Sequence, residues 1–398
     1  MLPEILIAIL LGVLAGCFTG LIPGVHVNLI TAVVVSSVAI ISSINPFLIS
    51  IFILSLALTH SFLDSIPSIY LGAPDADQVV SVLPGHQMVL EGDGHRAVLY
   101  TIVGSFSALL LTLAMFPLGL SFLIPVQSVV EPYIGKLLFL IITILLFMSR
   151  KFLLNTLFFL ASGLLGLLSL DLINQSHILL PLLSGLFGVS TLLLSLNSSS
   201  SLPNQLLSSY LPLSFSDIEK NISRATLVGM LASFLPGFGS SQGAIVASAT
   251  MRKKTPKDYL ILVGGINTVN FAFSLVTVAL LDKARNGAII GISSLLETIT
   301  ASHLVFFVPI LLFTGSIAVV LGIFLSKKMT ILMAKVPYNK LVISVIVFLL
   351  IIVTILSGAQ GILILLCATA LGILASLLGA QKNMLLGCLI LPVILYLW

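Results

Sequence analysis

The chain reads as an all-α polytopic membrane protein of two inverted-topology repeats, and three observations predict this. Hydrophobic residues fill 59% of its 398 positions and charged residues 8%, a composition outside the soluble globular range. Apolar runs of roughly 17–25 residues, the length that spans a bilayer, recur from end to end. They lack the period-two alternation of a β-barrel. One short motif then occurs twice: Gly16-Cys-Phe-Thr-Gly20-Leu-Ile-Pro23-Gly24 is matched by Gly229-Met-Leu-Ala-Ser233-Phe-Leu-Pro236-Gly237. Both copies interrupt an apolar stretch, and a break recurring in two halves points to the binding site of a repeat-built transporter.

The first repeat covers residues 1–195. Residues 4–42 form a hairpin-like pair broken at Pro23-Gly24, because proline removes a backbone donor and glycine tolerates any backbone conformation. A crossing near 45–60 and a short insertion, 62–72, lead into a polar stretch, 73–96. Crossings follow near 97–124, 134–149, 152–170 and 177–195. A Ser-rich linker, 196–220, separates the halves. The second repeat, 221–398, keeps the order: a broken pair at 224–251, a crossing at 258–281 and a short insertion at 287–300. Crossings near 302–326, 341–357, 359–378 and 382–397 complete it. The total is about ten crossings plus paired re-entrant elements, and an odd number per half inverts one half relative to the other.

The basic residues give an independent check. If the broken pairs and the insertions return to the side they entered, 14 of the 17 Lys and Arg residues fall on one face, leaving Lys136, Lys283 and Arg285 on the other. The positive-inside rule makes the rich face cytoplasmic, with both termini extracytoplasmic and the protein in the cell membrane. Plain crossings at either break would scatter the basic residues over both faces. The net charge of +4 therefore belongs to loops between apolar runs and is no sign of nucleic-acid binding. Cys17, Cys367 and Cys388 sit in apolar runs without ligand spacing and read as small hydrophobes. The N-terminus carries Glu4 and no basic region, unlike a signal peptide.

Polar side chains follow both breaks: His26 and Asn28 in the first copy, Ser240, Ser241 and Gln242 in the second, with Gly239 just before them. A half-helix restarting after Pro-Gly presents N–H groups without intrahelical partners and a positive dipole end, which suits an anion. Unwound backbone at such depth is tolerated only against protein or a wet cavity. The expected site is an anion held between the tips around Pro23-Gly24 and Pro236-Gly237. The plainer alternative is a proline kink, with Gly16 and Gly20 serving close helix packing.

Ionisable residues within a membrane are functional candidates by default. His60 and Asp64 are the best placed, for substrate and for coupling. Asp75, Asp77, Glu91 and Asp93 read as a solvated surface, and Arg96 either meets an anion at the cytoplasmic mouth or anchors its helix. Asn267 and Asn270, three apart on one helix face, serve substrate or interhelical hydrogen bonding. Glu297, in the second insertion, is a candidate coupling group for Na+ or H+, or an exposed outward-facing carboxylate. No other cofactor is expected.

Two enzyme-like signals carry little weight. Gly239-Ser-Ser241-Gln-Gly243 matches a nucleophile elbow, which requires a strand-turn-helix in a sheet. His60, Asp64, Asp75, Asp77 and His86 are a conceivable metal set for intramembrane hydrolysis, but no tight ligand spacing appears. The chain is read as a transporter and not as an enzyme.

The paired Pro-Gly motifs and the segment Leu71-Gly-Ala-Pro-Asp-Ala-Asp-Gln-Val-Val-Ser-Val-Leu-Pro-Gly-His-Gln-Met resemble the large membrane subunit of tripartite tricarboxylate transporters. The resemblance is to a compact, archaeal-type branch of that family. It implies cation-coupled uptake of carboxylates, with a small membrane subunit and an extracytoplasmic binding protein as partners. The Pro-Gly plan is also similar to that of polyprenyl-phosphate transporters, so a lipid phosphate remains an alternative substrate to a small carboxylate. Either anion would be bound by Pro23, Gly24, His26, Asn28, His60, Pro236, Gly237, Gly239, Ser240, Ser241 and Gln242, and moved by alternating access.

Overall fold

The computed structural model describes residues 2–22, 27–37, 45–72, 82–130, 133–147, 149, 151–172, 178–196, 205–235, 239–251, 255–281, 286–335 and 338–398. Among them there are helices, turns and no strand. The first half contains α1 (Leu2–Leu21), α2 (Val27–Ser36), α3 (Pro46–Leu63), α4 (Ser65–Leu71) and α5 (Val82–Leu90). It continues with α6 (Gly94–Val130), α7 (Ile134–Phe147), α8 (Phe152–Leu172) and α9 (Leu179–Leu183), which runs through a π turn (Ser184–Val189) into α10 (Ser190–Leu196). The second half contains α11 (Phe215–Phe234), α12 (Ser240–Ala249), α13 (Pro256–Leu281), α14 (Gly287–Leu296) and α15 (Ala301–Lys335). It ends with α16 (Tyr338–Leu378), a 3-10 turn (Lys382–Leu386) and α17 (Gly387–Tyr396). Among the described residues 7 helices are long and apolar enough to cross a membrane, and shorter apolar helices join them. The protein is an all-α polytopic membrane protein, as its composition predicts.

One element differs from the sequence expectation. Residues 62–72 do not form a separate insertion: α3 and α4 make one apolar span, Pro46–Leu71, with a local irregularity at Asp64. Pro67 lacks the N–H that would bond the Leu63 carbonyl, so the helix loosens there without reversing. The single helix α16 contains a break at Gly358 (φ 61°, ψ −158°). A Cβ added at Gly361 would lie 3.1 Å from the Val353 side chain. Eight residues along a straight helix would separate them by about 12 Å. The chain therefore bends back at Gly358, where the apolar runs expected at 341–357 and 359–378 meet.

Close contacts fix the directions of the central helices. Gly12, Gly16 and Gly20 of α1 meet, in that order, Phe52, Leu56 with Thr59, and His60 with Leu63 on α3. The two helices are parallel, so the chain between them returns to the end where α1 began. Likewise Ala225, Gly229 and Ser233 of α11 meet Gly265, Val269 and Thr277 of α13, again parallel. By contrast, α6 and α15 run antiparallel, through His95–Ser326, Ile102–Gly322 and Leu109–Gly315.

The interior has two main hydrophobic clusters. One joins α1, α3, α14 and α15 to the far part of α13. The other joins α7, α8, α16 and α17 to α11, α12 and the near part of α13. Where described, the linker lies flat on the α5–α6 corner. Leu206 N–H donates to the Gly92 carbonyl at 2.8 Å, while Gln205 accepts from Gly94 N–H at 3.2 Å and donates to the Val89 carbonyl at 2.7 Å.

Candidate functional site

The irregular point of the first span and the restart of the second broken pair come together. Asp64 sits where α3 gives way to α4, and only 3% of it is exposed. Asn267, in the middle of α13, donates from Nδ2 to Asp64 Oδ2 at 2.9 Å and to the Ser61 carbonyl at 3.3 Å. Ser240, the first residue of α12, donates to Asn267 Oδ1 at 3.5 Å and accepts from Asn270 Nδ2 at 3.2 Å. Every donor in this chain, from Asn270 through Ser240 and Asn267, points toward the carboxylate. Such series polarise one another in a low-dielectric interior. The three apart spacing of Asn267 and Asn270 places both on the face of α13 that α12 covers.

Local sequence explains why α12 restarts here. Gly239 precedes the helix in extended conformation, and the Gln242 side chain reaches back to accept its N–H at 3.1 Å. Ser240, Ser241 and Gln242 are all buried. The first-turn N–H groups of α12 have no intrahelical acceptor, so the buried helix start is a polar surface facing Asn267 and Asn270.

His60 lies one turn before Asp64 on the same helix face, but it serves α1. Its Nδ1 is 3.0 Å from Thr19 Oγ1, and Thr19 spends its own proton on the Gly16 carbonyl at 3.3 Å. Thr19 is a buried partner that the sequence did not single out, since one threonine in an apolar run carries no signal.

The structure brings together Asp64, Asn267, Asn270 and Ser240, with Ser241, Gln242, Gly239 and His60 beside them. It keeps three candidates outside that chain. Asn28 is exposed in the first turn of α2 and packs on Gly287 of α14, where an added Cβ would meet its Oδ1 at 2.5 Å. Arg96 pairs with Asp93 at 3.2 Å. Glu297 is exposed at the far end of α14 in a tight turn with φ 59°, its neighbours closing a Thr298 N–H to Leu296 carbonyl bond of 2.6 Å. Pro23, Gly24, His26, Pro236 and Gly237 lie outside the described residues, as do Asp75 and Asp77. Among the described residues no three His, Cys, Asp or Glu side chains converge as metal ligands.

Titration behaviour outside the spans is set by burial. His86 of α5 is 2% exposed and donates from Nδ1 to the Ile69 carbonyl at 3.0 Å. Burial holds its imidazole below the ordinary value; the Ile69 bond opposes this and the nearby Lys382 ammonium adds to it. Burial lowers Lys382 in turn, and its Nζ donates to Thr191 Oγ1 at 2.9 Å.

The profile of the tripartite tricarboxylate transporter TctA family matches residues 6–387. An uncharacterized protein of Methanocaldococcus jannaschii is 28% identical over 405 aligned positions, which span 98% of each chain. No solved structure matches.

Proposed function

Since the chain belongs to the tripartite tricarboxylate transporter TctA family, we propose that it moves a carboxylate anion by alternating access past the Asp64–Asn267–Ser240–Asn270 chain. Membership makes it a component of a tripartite system that also has a binding protein and a small subunit. The finer mechanism is our inference. The observation that carries it is the buried polar chain itself, which joins both halves of the molecule within their spans. Buried polar groups in a membrane mark substrate and ion paths.

The roles follow from chemistry. The start of α12, with Ser240, Ser241 and Gln242, supplies donors for the anion, and Asn267 and Asn270 extend that surface. Asp64 repels an anion and is the coupling group: it takes H+ or Na+ when the carboxylate binds, and the Asn267 contact relaxes. The inverted repeat is part of the proposal. It is supported by the parallel pairs α1–α3 and α11–α13 and by the opposed run of α6 and α15. The positive-inside rule then puts Lys151, Lys257, Lys327, Lys328 and Lys382 at the cytoplasmic side of the cell membrane and both termini outside.

The test is uptake into proteoliposomes holding this chain with its small subunit and binding protein, using labelled citrate in one arm and labelled polyprenyl phosphate in the other. Citrate flux driven by a Na+ or H+ gradient, lost in Asp64→Ala and Asn267→Ala, is the expected result. Flux of polyprenyl phosphate alone would reassign the substrate. Unchanged citrate flux in both variants would remove the site.

A further inference from the structure

We infer that the bodies moving during transport are not the two sequence repeats but two exchanged units, one made of α1, α3–α4 and α15, the other of α11, α13 and α6. The inference rests on the transporter reading above. It follows from where backbone meets backbone. A Cβ at Gly104 of α6 would overlap the Ile261 carbonyl of α13, and one at Gly264 would overlap the Thr101 carbonyl. Ser105 then donates to the Gly264 carbonyl at 3.0 Å. Helices packed this closely cannot slide, because their ridges have no room to climb out of the grooves. Thus α6 travels with α13, although the two belong to different halves.

The other unit is held along its length. Phe47 stacks on Phe307 with ring centroids 5.9 Å apart, Ser55 and Thr314 share a hydrogen bond of 3.2 Å, and Tyr70 donates to the Ser326 carbonyl at 3.2 Å. These contacts rise in step through α3–α4 and α15, so α15 runs parallel to the first-half span and is fastened to it.

Between the units the packing is side chain on glycine, Leu109 on Gly315 and Ile102 on Gly322, with no backbone meeting backbone among the described residues, and side-chain hydrogen bonds cross the same seam. Thr101 donates to Ser65 Oγ at 3.1 Å, His95 Nδ1 lies 2.9 Å from Ser326 Oγ, and Asn267 donates to Asp64 at 2.9 Å. Bonds of this kind can be exchanged for water or ligand at small net change. Interfaces closed backbone to backbone move as rigid bodies, while the seam of side-chain contacts between them rearranges. The polar chain of the candidate site therefore lies across the moving seam, with Asp64 on one unit and Asn267 and Asn270 on the other, where Ser240 of α12 is bonded to both asparagines.

Two disulfide pairs make opposite demands on this arrangement. In a background with Cys17, Cys367 and Cys388 replaced by alanine, Ser55→Cys with Thr314→Cys links different repeats within one unit. Ser65→Cys with Thr101→Cys links one repeat across the two units. Each protein is reconstituted with its partner subunits, and labelled citrate flux is compared before and after reduction. Exchanged units predict that the oxidised first pair transports within twofold of its reduced form, while the oxidised second pair loses at least tenfold and recovers on reduction. The opposite pattern, or equal behaviour of the two pairs, overturns the inference.

A substrate-free measurement separates this from the transport reading. Spin labels at Leu10 and Val320, both exposed on the first unit, are expected to give one narrow distance in nanodiscs. Labels at Leu227 and Val320, which share a repeat but not a unit, are expected to give a broad or two-peaked distribution. A narrow second pair beside a broad first pair overturns the exchanged units even if citrate is not the substrate. Absence of citrate flux in every reduced form counts against the proposed function alone.

Discussion

The α1–α3 pair and the α11–α13 pair are built alike and equipped differently. In both, a small residue of the repeated motif presses on a later helix at the same register. Gly16 meets Leu56 and Thr59, and Gly229 meets Ile266 and Val269, so each partner is displaced by the same 210 positions. The polar groups then diverge. Position 60 is a histidine bonded back to α1 through Thr19, whereas its counterpart at 270 is an asparagine bonded forward to the start of α12. The shared part is packing and the unshared part is chemistry. A repeated helix packing thus carries a carboxylate at Asp64 and a donor-rich start of α12 at Ser240, the two kinds of group on which the proposed co-movement of an anion with a cation rests.

The largest effect that would break this comparison is at the junction of the two sides. Asn267→Ala removes one charge-assisted hydrogen bond from a buried carboxylate, worth about 1.5–3 kcal/mol, and is expected to lower citrate flux by 10-fold to 100-fold. Asn267→Asp sets two carboxylates against each other, so one must hold a proton. Its flux is expected to be near zero at pH 8 and to recover in part as pH falls, which a rate measurement across that range would reveal. A pH-independent loss would count against Asp64 as the charged partner.

The packing side is sharpened by a matched pair of glycine variants. A Cβ at Gly16 would stand 2.6 Å from the Leu56 carbonyl, a backbone atom, whereas at Gly229 it would stand 2.6 Å from the Val269 side chain. Gly16→Ala and Gly229→Ala are each expected to cost about 1–3 kcal/mol, since Val269 Cβ is fixed to its own backbone, as thermal melts in detergent would show. A clearly smaller shift for one variant would mean that its helix pair adjusts more freely than the other. Next in size, His60→Gln is expected to slow transport by roughly threefold to tenfold, the equivalent of ~1 kcal/mol for one neutral hydrogen bond weakened. Asn270→Ala is expected to raise the citrate KM instead, because Asn270 is on the donor side.

The smallest expected effect lies outside the comparison and serves as its control. The folded protein holds His86 below its unfolded value of about 6.5. It binds fewer protons there than when unfolded, so this contribution to stability is complete above about pH 6.5 and is lost as pH falls below it. Melts at pH 7.5 and 5.5 should differ less for His86→Gln than for the native chain, with a limiting slope of about 1.4 kcal/mol per pH unit. A pH effect on flux that follows His86 rather than Asp64 would place the proton-sensitive step outside the site.

The all-α membrane class was legible in the sequence because apolar length is a direct reading of membrane thickness. Even the turn at Gly358 follows from two apolar runs meeting at one residue. The continuous α3–α4 span was not legible, since Pro67 and the polar residues around Asp64 imitate a boundary while only loosening a helix. At the site, Asp64, Asn267, Asn270 and Ser240 stood out as polar residues in apolar runs. Their mutual contacts did not, because partners 203 positions apart are joined by tertiary packing alone. The motif glycines had two readings, and the contacts of Gly16, Gly20 and Gly229 with neighbouring helices give them a packing role.

The fit of α6 against α13 also bears on how the protein is made. Ser105 and the Gly264 carbonyl it binds are 159 positions apart. At about 5–20 residues per second of synthesis, roughly 10–30 s separate the two helices on the ribosome. Throughout that interval the surface of α6 around Gly104 lacks the helix that covers it in the finished chain. A truncated message ending in the linker would release a half-molecule marked by that face, and membrane proteases are expected to clear it faster than the finished chain.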